Sequence, residues 1–391
     1  MVAPADLATV AIAGLASLFM AWAIGAGSSG STPFAPAVGA NAISVMRAGF
    51  IVGILGLLGA VFQGANVSAA VGRELIVGQT LTPVAAAVAL LTAAVLVAFG
   101  VFTGYPIATA FTTTGAVVGA GLALGGAPAW AKYTEIVALW VAVPFVGGGT
   151  SYATAVGLRR IDADAYTVPV LGGVVGLIVA NIGFVLLGPP DTSQSLAETV
   201  AAALPVAALL GQVLVSLAAA VLVAAVIARD VRANPTAGQR HFLLALGGLV
   251  AFSAGGSQVG LAVGPLLPLL GEEVRLVYVL LGGGIGLLAG SWTGAPRMIK
   301  ALAQDYSSLG PRRSIAALIP SFAIAQAAVF FGIPVSFNEI IVSAIVGSGY
   351  AAGSAGVSRQ KMGYTVLAWV GSLAIAFALG YGVFTAVTTV T

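Results

Sequence analysis

Short hydroxyl and amide side chains are concentrated in four stretches that are also rich in glycine and proline. These stretches are 26–36, 104–121, 255–265 and 332–349, and none of them contains Lys or Arg. Where a helix starts inside a protein, its free backbone N–H groups and partial positive charge favour an anion. Hydroxyl and amide groups add donors, so the stretches predict a site for a small anion with several oxygens. The candidate substrate-binding residues are Ser28, Ser29, Thr32, Thr109, Ser257, Gln258, Ser336 and Asn338.

One acid, Glu339, lies inside the last stretch and is followed by the apolar residues 340–342. A carboxyl group at the centre of a bilayer costs at least about 2.5 kcal/mol, so such residues are rare and usually functional. We expect Glu339 to bind a coupling cation, carry a proton or accept a hydrogen bond from a protonated anion. The alternative is a carboxyl near the membrane interface, or one that stays protonated and only packs. Hydroxyl oxygens also suit a hard cation such as Na⁺, which adds Thr112 and Thr113 as candidate cation ligands.

The composition places these stretches in a membrane. Of the 391 residues, 59% are hydrophobic and only 7% are charged, whereas a soluble domain carries about 25% charged residues. This composition excludes a soluble enzyme, a disordered chain and a nucleic-acid-binding protein. The chain has no cysteine and one histidine, His241, so no disulfide, thiolate chemistry or histidine metal cluster is expected. No cofactor is predicted, other than Na⁺ as a coupling ion.

Ten apolar runs are long enough to cross a bilayer, which takes roughly 20 residues in a helix. The predicted spans lie near 6–24, 48–63, 82–102, 133–158, 168–188, 198–228, 241–254, 276–296, 314–331 and 363–390. Two further apolar stretches, near 104–125 and 332–350, are interrupted by Gly, Pro and Thr. The sequence therefore predicts an all-α, polytopic protein of the cell membrane with about 10–12 transmembrane helices.

The chain repeats itself at an offset of 228–229 residues. Matching pairs are Gly27 and Gly256, Ser28 and Ser257, Gly104 and Gly332, Pro106 and Pro334, and Trp140 and Trp369. We predict a first repeat at 1–158, connecting helices at 159–240 and a second repeat at 241–391. Interrupted hydrophobic segments at corresponding places in two halves are typical of the binding site of a secondary transporter.

Loop charges predict which ends of the spans face the cytoplasm. Basic residues cluster around 229–240 and 297–313, and both loops are expected inside by the positive-inside rule. The loop 188–195 lacks Lys and Arg and is expected outside. Hydropathy leaves open whether the two interrupted stretches cross the membrane or turn back.

The ordered motifs resemble the inorganic phosphate transporter (PiT) family of secondary transporters. Its duplicated GANDVANAfGtavG-type motif is matched by AGSSGSTPFAPAVG at 26–39 and by GGSQVGLAVGPL at 255–266. Its GiPvSTTH-type hairpins resemble 104–111 and 332–339, and its tryptophan segment resembles WVAVP at 140–144. The resemblance implies two inverted repeats with broken helices and re-entrant hairpins, in a homodimer that transports inorganic phosphate.

The sequence departs from the family motif at its acids. The Asn-Asp pair is replaced by Ser28-Ser29 in one copy and by Ser257-Gln258 in the other, and Glu339 stands at the family's histidine position. The two missing aspartates are those that the resemblance would assign to cation coupling and anion recognition. Hydrogen phosphate donates a proton to a carboxylate and sulfate does not, so a site with donors alone suits sulfate better. Glu339 is a candidate acceptor for phosphate, but phosphate stays first only because most of the family carries it.

These observations predict a secondary active transporter that imports a tetrahedral oxyanion, phosphate before sulfate. The expected mechanism is symport with Na⁺ or H⁺ and alternating access around a fixed site. The alternatives are a sulfate permease of the same fold and a passive anion channel. No nucleophile–base pair or nucleotide motif is visible, so no enzymatic activity is expected. The expected partners are phosphate or sulfate, the coupling cation, the lipid bilayer and a second copy of the chain, with no nucleic acid.

Overall fold

The computed structural model describes residues 4–161, 163–185, 187–188, 193–270, 274–353 and 357–390. The α-helices are α1 Pro4–Ile24, α2 Ala35–Gly39, α3 Val45–Gln63, α4 Ala65–Arg73, α5 Pro83–Thr103, α6 Thr109–Ala123, α7 Trp130–Ile161, α8 Asp164–Asn181, α9 Leu196–Ala201, α10 Ala208–Ala233, α11 Pro235–Val263, α12 Leu276–Thr293, α13 Ala295–Gln304, α14 Pro311–Phe331, α15 Phe337–Tyr350 and α16 Arg359–Val390. A π-helical segment spans Gly25–Ser29 and a 3-10 helix spans Gly264–Leu269. Four short strands are β1 Ile76–Val77, β2 Ala127–Pro128, β3 Gly183–Phe184 and β4 Gln194–Ser195, paired antiparallel as β1–β2 and β3–β4.

Among the described residues, ten helices are long and apolar enough to cross a membrane. The protein is thus a multi-pass membrane protein, and the predicted all-α polytopic fold is confirmed. The predicted run at 198–228 is divided into α9 and α10, because Pro205 has no N–H for the helix between them. Most of α10 is exposed, whereas α11 and α14 are the most buried spans. The centre of the bundle therefore lies around α11 and α14.

The two copies of the first motif differ in backbone conformation. In the first copy α1 continues into the π-helical segment, and the chain then turns at residues 30–34 before α2. In the second copy α11 continues as a regular helix to Val263, so the predicted interruption at 255–263 is absent. The first copy has Pro33 where the second has Ala262, and proline removes the N–H that a continuous helix needs.

Two helical hairpins enter the bundle and return to the side they came from. In the first, α5 and α6, strand β1 before the hairpin pairs with β2 after it. In the second, α14 and α15, Ser307 before the hairpin forms a bridge with Val357 after it. The tips turn at Gly104 and Gly332, which have φ of 76° and 61°, a backbone region that favours glycine. Both interrupted stretches thus turn back in the membrane.

The two halves run in opposite directions through the membrane. The helices of the first half have counterparts in the same order in the second; α5 begins at Pro83 and α14 at Pro311, and α7 ends at Ile161 and α16 at Val390, offsets of 228 and 229 residues. Since the first hairpin does not cross, five crossings separate the start of α1 from that of α11: α1, α3, α7, α8 and α10. Because this number is odd, α11 begins on the opposite face of the membrane from α1. The division at 158 and 240 remains a proposal; α7 and α11 extend a few residues past those limits.

The charges identify the cytoplasmic face. Only Arg73, Lys132 and Arg275 lie on the face that holds β1 and β2; the other twelve of the 15 Lys and Arg, all described, lie at helix ends on the opposite face. On this opposite face, residues from distant parts of the chain form ion pairs, from Arg312 to Asp164 and from Lys361 to Asp305. The positive-inside rule predicts that this basic face is cytoplasmic. The predicted cytoplasmic loops lie on it; residues 189–192 of the predicted external loop are outside the described residues.

Candidate functional site

Side chains from three separate segments meet at the centre of the bundle. The Thr109 hydroxyl, on the first residue of α6, donates to Gln258 Oε1 at 2.7 Å, and the Ser28 hydroxyl donates to the same oxygen at 3.2 Å. The hydroxyl oxygens of Thr109 and Ser28 are 3.4 Å apart. All three residues are fully buried. The predicted site residues of both halves thus form one polar centre.

Two amide side chains attach the second hairpin to this centre. Gln258 Nε2 donates to the carbonyl oxygen of Val335 at 2.6 Å. Asn338 Nδ2 donates to the carbonyl oxygens of Gly27 at 2.9 Å and of Ile107 at 2.7 Å. Because Gly27 lies in the π-helical segment and Ile107 in the tip of the first hairpin, Asn338 joins three interrupted segments. The position of each hairpin tip therefore depends on the other.

Several buried polar atoms in and beside this centre have no hydrogen-bond partner among the described residues. They are the hydroxyl oxygens of Thr114, Ser151, Ser257, Ser336 and Ser343, together with Asn338 Oδ1 and Glu339 Oε2. A buried polar group without a partner costs about 1–3 kcal/mol, and native proteins leave few of them. Ser257 and Ser336 offer hydroxyl donors, whereas Asn338 Oδ1 and an ionised Glu339 can only accept. Of this set, Ser257, Ser336, Asn338 and Glu339 have the capacity to bind a ligand that both accepts and donates hydrogen bonds.

The remaining predicted residues use their hydroxyl protons locally. Thr32, Thr112 and Thr113 each donate to the carbonyl oxygen four residues earlier, at 2.9–3.0 Å. This bond is common for Thr in helices and leaves only the oxygen lone pairs for a ligand. A cation uses those lone pairs, so Thr112 and Thr113 stay compatible with the predicted cation role. Ser29 is buried in the π-helical segment beside Ser28.

The N-termini of α6 and α15 both open toward this centre. Their N-cap residues are Ala108 and Ser336, and neither side chain caps the helix. The first N–H groups of each helix are therefore free to bind a ligand. Each terminus also contributes about half a positive charge. The site thus has positive character without a Lys or Arg side chain.

Two tryptophans hold the hairpin tips, which the sequence did not predict. Trp140 Nε1 on α7 donates to the carbonyl oxygen of Pro334 in the second hairpin, and Trp369 Nε1 on α16 donates to that of Pro106 in the first, both at 2.8 Å. Both rings are buried, so neither is an interface anchor. Each long helix thus fixes the hairpin of the opposite half. The signals in the sequence were their shared offset of 229 residues and the resemblance of 140–144 to the family's tryptophan segment.

A cavity of about 930 Å³ reaches toward the centre from the external side. Gln63 and Gln326 line it and exchange amide hydrogen bonds of 3.3 and 3.2 Å. Gln326 Nε2 also donates to the Ser253 hydroxyl at 2.6 Å, one turn from Ser257. A Cβ on Gly256 would contact the Gln63 side chain, so the glutamine pair lies beside the part of α11 that carries Ser257 and Gln258. Neither glutamine belongs to a repeated motif, and sequence reasoning missed both.

A second cavity, of about 620 Å³, lies toward the cytoplasmic face between α7 and α15. Its lining includes Ser343, Tyr152 and Tyr350. The fully buried residues Ser28, Thr109, Ser257 and Gln258 line neither of these cavities. Within the described residues no group of three or more His, Asp or Glu could hold a metal ion. A coupling Na⁺ would instead use hydroxyl, amide and carbonyl oxygens.

Comparison with known proteins identifies the scaffold. Residues 24–380 match the model of the phosphate transporter family. The chain belongs to that family. It is similar to the "Inorganic phosphate transporter 2-1, chloroplastic" of Arabidopsis thaliana, with 25% identity over 93% of this chain and 70% of the relative. Its fold is that of a solved structure described as "The sodium-dependent phosphate transporter", with a TM-score of 0.82, 23% identity, and coverage of 98% of this chain and 100% of that one.

Membership in the phosphate transporter family confirms the predicted resemblance to it. The family match includes both hairpins and the π-helical segment, so the centre described above lies within the shared scaffold. The residues at that centre are the departures noted in the sequence, with Ser28 and Gln258 among them. The roles of individual site residues are therefore proposals that rest on the geometry of this chain.

Proposed function

We propose that the protein imports phosphate by cation symport, and that the centre around Ser28, Thr109 and Gln258 is its substrate site. One observation carries this proposal: unpartnered hydroxyls of Ser257 and Ser336 lie in a buried centre at which two free helix N-termini converge. An oxyanion would satisfy these donors. The fold and the family favour a transporter over an enzyme.

The buried acceptors favour phosphate over sulfate. Hydrogen phosphate carries a hydroxyl that donates to Asn338 Oδ1 or Glu339, whereas sulfate has no proton and would leave both acceptors unpaired. A site that hydrogen-bonds a substrate hydroxyl rejects an analogue without it by several orders of magnitude. The replacement of both family aspartates supports the second candidate, sulfate, because fewer acceptors then remain in the site.

The two cavities support alternating access. The external cavity ends at the Gln63–Gln326 pair, and the cytoplasmic cavity ends at Ser343. The hairpins enter from opposite faces and meet at the site, so movement of one at a time exposes the site to one side only. Na⁺ and H⁺ remain the candidate coupling ions. A homodimer also remains a proposal.

Competitive uptake into proteoliposomes tests this function. The purified protein should accumulate labelled phosphate uphill when an inward Na⁺ or pH gradient is applied. Unlabelled phosphate should compete, and sulfate should compete at least about a hundredfold less well. The variant Ser257→Ala should weaken phosphate binding by about tenfold or more, since it removes a buried donor. The matched control is Ser68→Ala, whose buried hydroxyl already donates to the carbonyl of Gly64.

Three results would contradict the proposal. Equilibration without uphill accumulation under either gradient would make the protein a passive channel. Stronger competition by sulfate than by phosphate would make it a sulfate permease. Unchanged phosphate affinity in Ser257→Ala would remove this residue from the site.

A further inference from the structure

Three unpartnered polar side chains lie on α15 and α7, the two helices on either side of the cytoplasmic cavity. Glu339 is in the first turn of α15, and Ser343 follows four residues later, so both lie on one face of that helix. Ser151 lies on α7, the helix packed against α15. Their exposed fractions are 1%, 3% and 0%, and none of Glu339 Oε2, Ser343 Oγ and Ser151 Oγ has a partner among the described residues.

The free hydroxyls are unusual for this protein. Serine and threonine in a membrane helix commonly donate to the carbonyl one turn earlier, which satisfies them without a ligand. Thr112 and Thr113 in the first hairpin, and Ser321 in α14, all do this. Ser343 and Ser151 do not, so both hydroxyls are available to a mobile group.

Close packing of α7 on α15 sets the two hydroxyls along one seam. A Cβ on Gly347 would collide with the carbonyl of Gly148, and a Cβ on Gly148 would lie 3.2 Å from the carbonyl oxygen of Ser343. Ser151 is one turn beyond Gly148, toward the cytoplasmic end of α7. Ser343, Gly148 and Gly347 all line the cytoplasmic cavity of about 620 Å³. Glu339 follows Asn338 of the substrate site, and Ser343 lines the cavity. These polar side chains therefore form a line that leads from the site to the cavity.

The equivalent seam in the other half has no such line. Positions 228–229 residues away from Glu339, Ser343 and Ser151 are Phe111, Gly115 and Gly380. Gly115 and Gly380 lie against the backbone of α16 and α6 respectively, whereas the Phe111 ring stacks on Trp140 of α7 with centroids 3.8 Å apart. Pseudo-symmetry thus supplies the scaffold twice, but only the seam toward the cytoplasm is polar.

We propose that Glu339, Ser343 and Ser151 form a proton path that releases the coupling ion of transport into the cytoplasmic cavity. The proposal rests on the transport function above and identifies its coupling ion. The protonated Glu339 enters the cycle with the substrate. On the cytoplasmic side its O–H bond breaks and the proton passes to water in the seam, where Ser343 and Ser151 accept and donate hydrogen bonds. The carboxylate that remains takes up a proton again from the external side.

The spacing of the oxygens favours a proton over Na⁺. Hard cations gather several oxygens around one point, as the 6–8 ligands of Ca²⁺ illustrate. Glu339 and Ser343 are one helical turn apart, with about 5–6 Å between their Cβ atoms, so their oxygens belong to separate positions along the helix. Hydroxyl groups both donate and accept, which suits relay of a proton through intervening water.

No other charged group competes for this role in the helices packed against α15. The neighbours are α7, α14 and the π-helical segment, and the last contains no titratable side chain. The titratable groups on the other two and on α15 itself are Lys132, Tyr133, Glu135, Tyr152, Arg159, Arg160, Arg312, Arg313 and Tyr350. Tyr152 and Tyr350 line the cavity mouth, and Arg312 pairs with Asp164. The others lie in the first two or the last turns of their helices, away from Glu339.

Proteoliposomes loaded with the pH dye pyranine test the path. Ser343→Ala and Ser151→Ala should each slow phosphate uptake driven by a pH gradient, and the lumenal acidification that accompanies it, by about tenfold. Exchange of labelled for unlabelled phosphate at equal pH needs no net proton release, so it should stay within about twofold of the unmodified protein. The matched control is Ser348→Ala on the same helix, because the Ser348 hydroxyl already donates to Ile345.

The outcomes separate this inference from the transport function. If both variants take up phosphate under a pH gradient as fast as the unmodified protein, the proton path is overturned. Phosphate exchange by the unmodified protein would still support the transport function. Uptake by the unmodified protein that needs a Na⁺ gradient and causes no acidification would also overturn it. Absence of phosphate exchange in the unmodified protein would remove the function and the path together. Equal loss of exchange and net uptake in Ser343→Ala would show a structural role instead.

Discussion

The two re-entrant hairpins share a backbone but differ in chemistry. α6 begins at Thr109 and α15 at Phe337, an offset of 228 residues, and both hairpins turn at a glycine with positive φ. Within the first hairpin the inward positions after the helix start are occupied by Phe111 and Gly115, whereas Glu339 and Ser343 occupy them in the second. The two halves thus share the backbone features that position the site, and they differ in the side chains that they place there.

This difference separates the features that both halves supply from the features that only one half supplies. The helix N-termini and the tryptophan bonds to the tips occur in both halves, so they serve features that both halves need. Coupling needs a direction, and a symmetric pair of acids would provide none. One acid with one polar seam gives the ion a defined side of release.

The largest expected effect comes from Glu339→Gln. Removing the only acid of the site should lower pH-driven phosphate uptake by about a hundredfold or more, while the similar shape of glutamine preserves folding. Uptake and the thermal unfolding temperature in detergent should be measured together. Glu74→Gln is the control, because Glu74 is half-exposed on the external face and pairs with Lys132. Full uptake in Glu339→Gln would remove this residue from the mechanism.

An intermediate effect is expected when the residues that precede α15 and α6 are made identical. Ser336 and Ala108 occupy equivalent positions before α15 and α6. Ser336→Ala should weaken phosphate binding by about tenfold, since one buried donor is worth about 1–3 kcal/mol. Ala108→Ser adds a donor and should leave binding unchanged or strengthen it. Equilibrium binding of phosphate measures both; weaker binding in Ala108→Ser alone would place the anion away from these termini.

The smallest expected effect tests the symmetric part of the comparison. Trp140→Phe and Trp369→Phe each leave a buried hairpin carbonyl without its donor, at a cost of about 1–3 kcal/mol. Because the bonds are equivalent, the two variants should lower the thermal unfolding temperature by similar amounts. A loss in one variant alone would mean that only one tip is held by its tryptophan.

Sequence reasoning located most of the fold and part of the site. Apolar run length predicted ten spans, and the internal offset predicted which segments correspond. It placed Ser28, Thr109, Gln258 and Asn338 among the candidate residues, and these four make contacts within one buried centre. It missed the Gln63–Gln326 pair, because each glutamine is isolated in its own apolar helix and only packing joins them.

The sequence by itself determined that the chain lies in a membrane, that it is duplicated and that polar residues interrupt it in matching places. Those properties follow from composition and local spacing, which do not depend on long-range contacts. Only the tertiary structure decided that the hairpins turn back and that Glu339, Ser343 and Ser151 lie on helices that pack together. Such features depend on which helices pack together, and residues that meet in this way lie up to 311 positions apart in the chain, as Asn338 and Gly27 do.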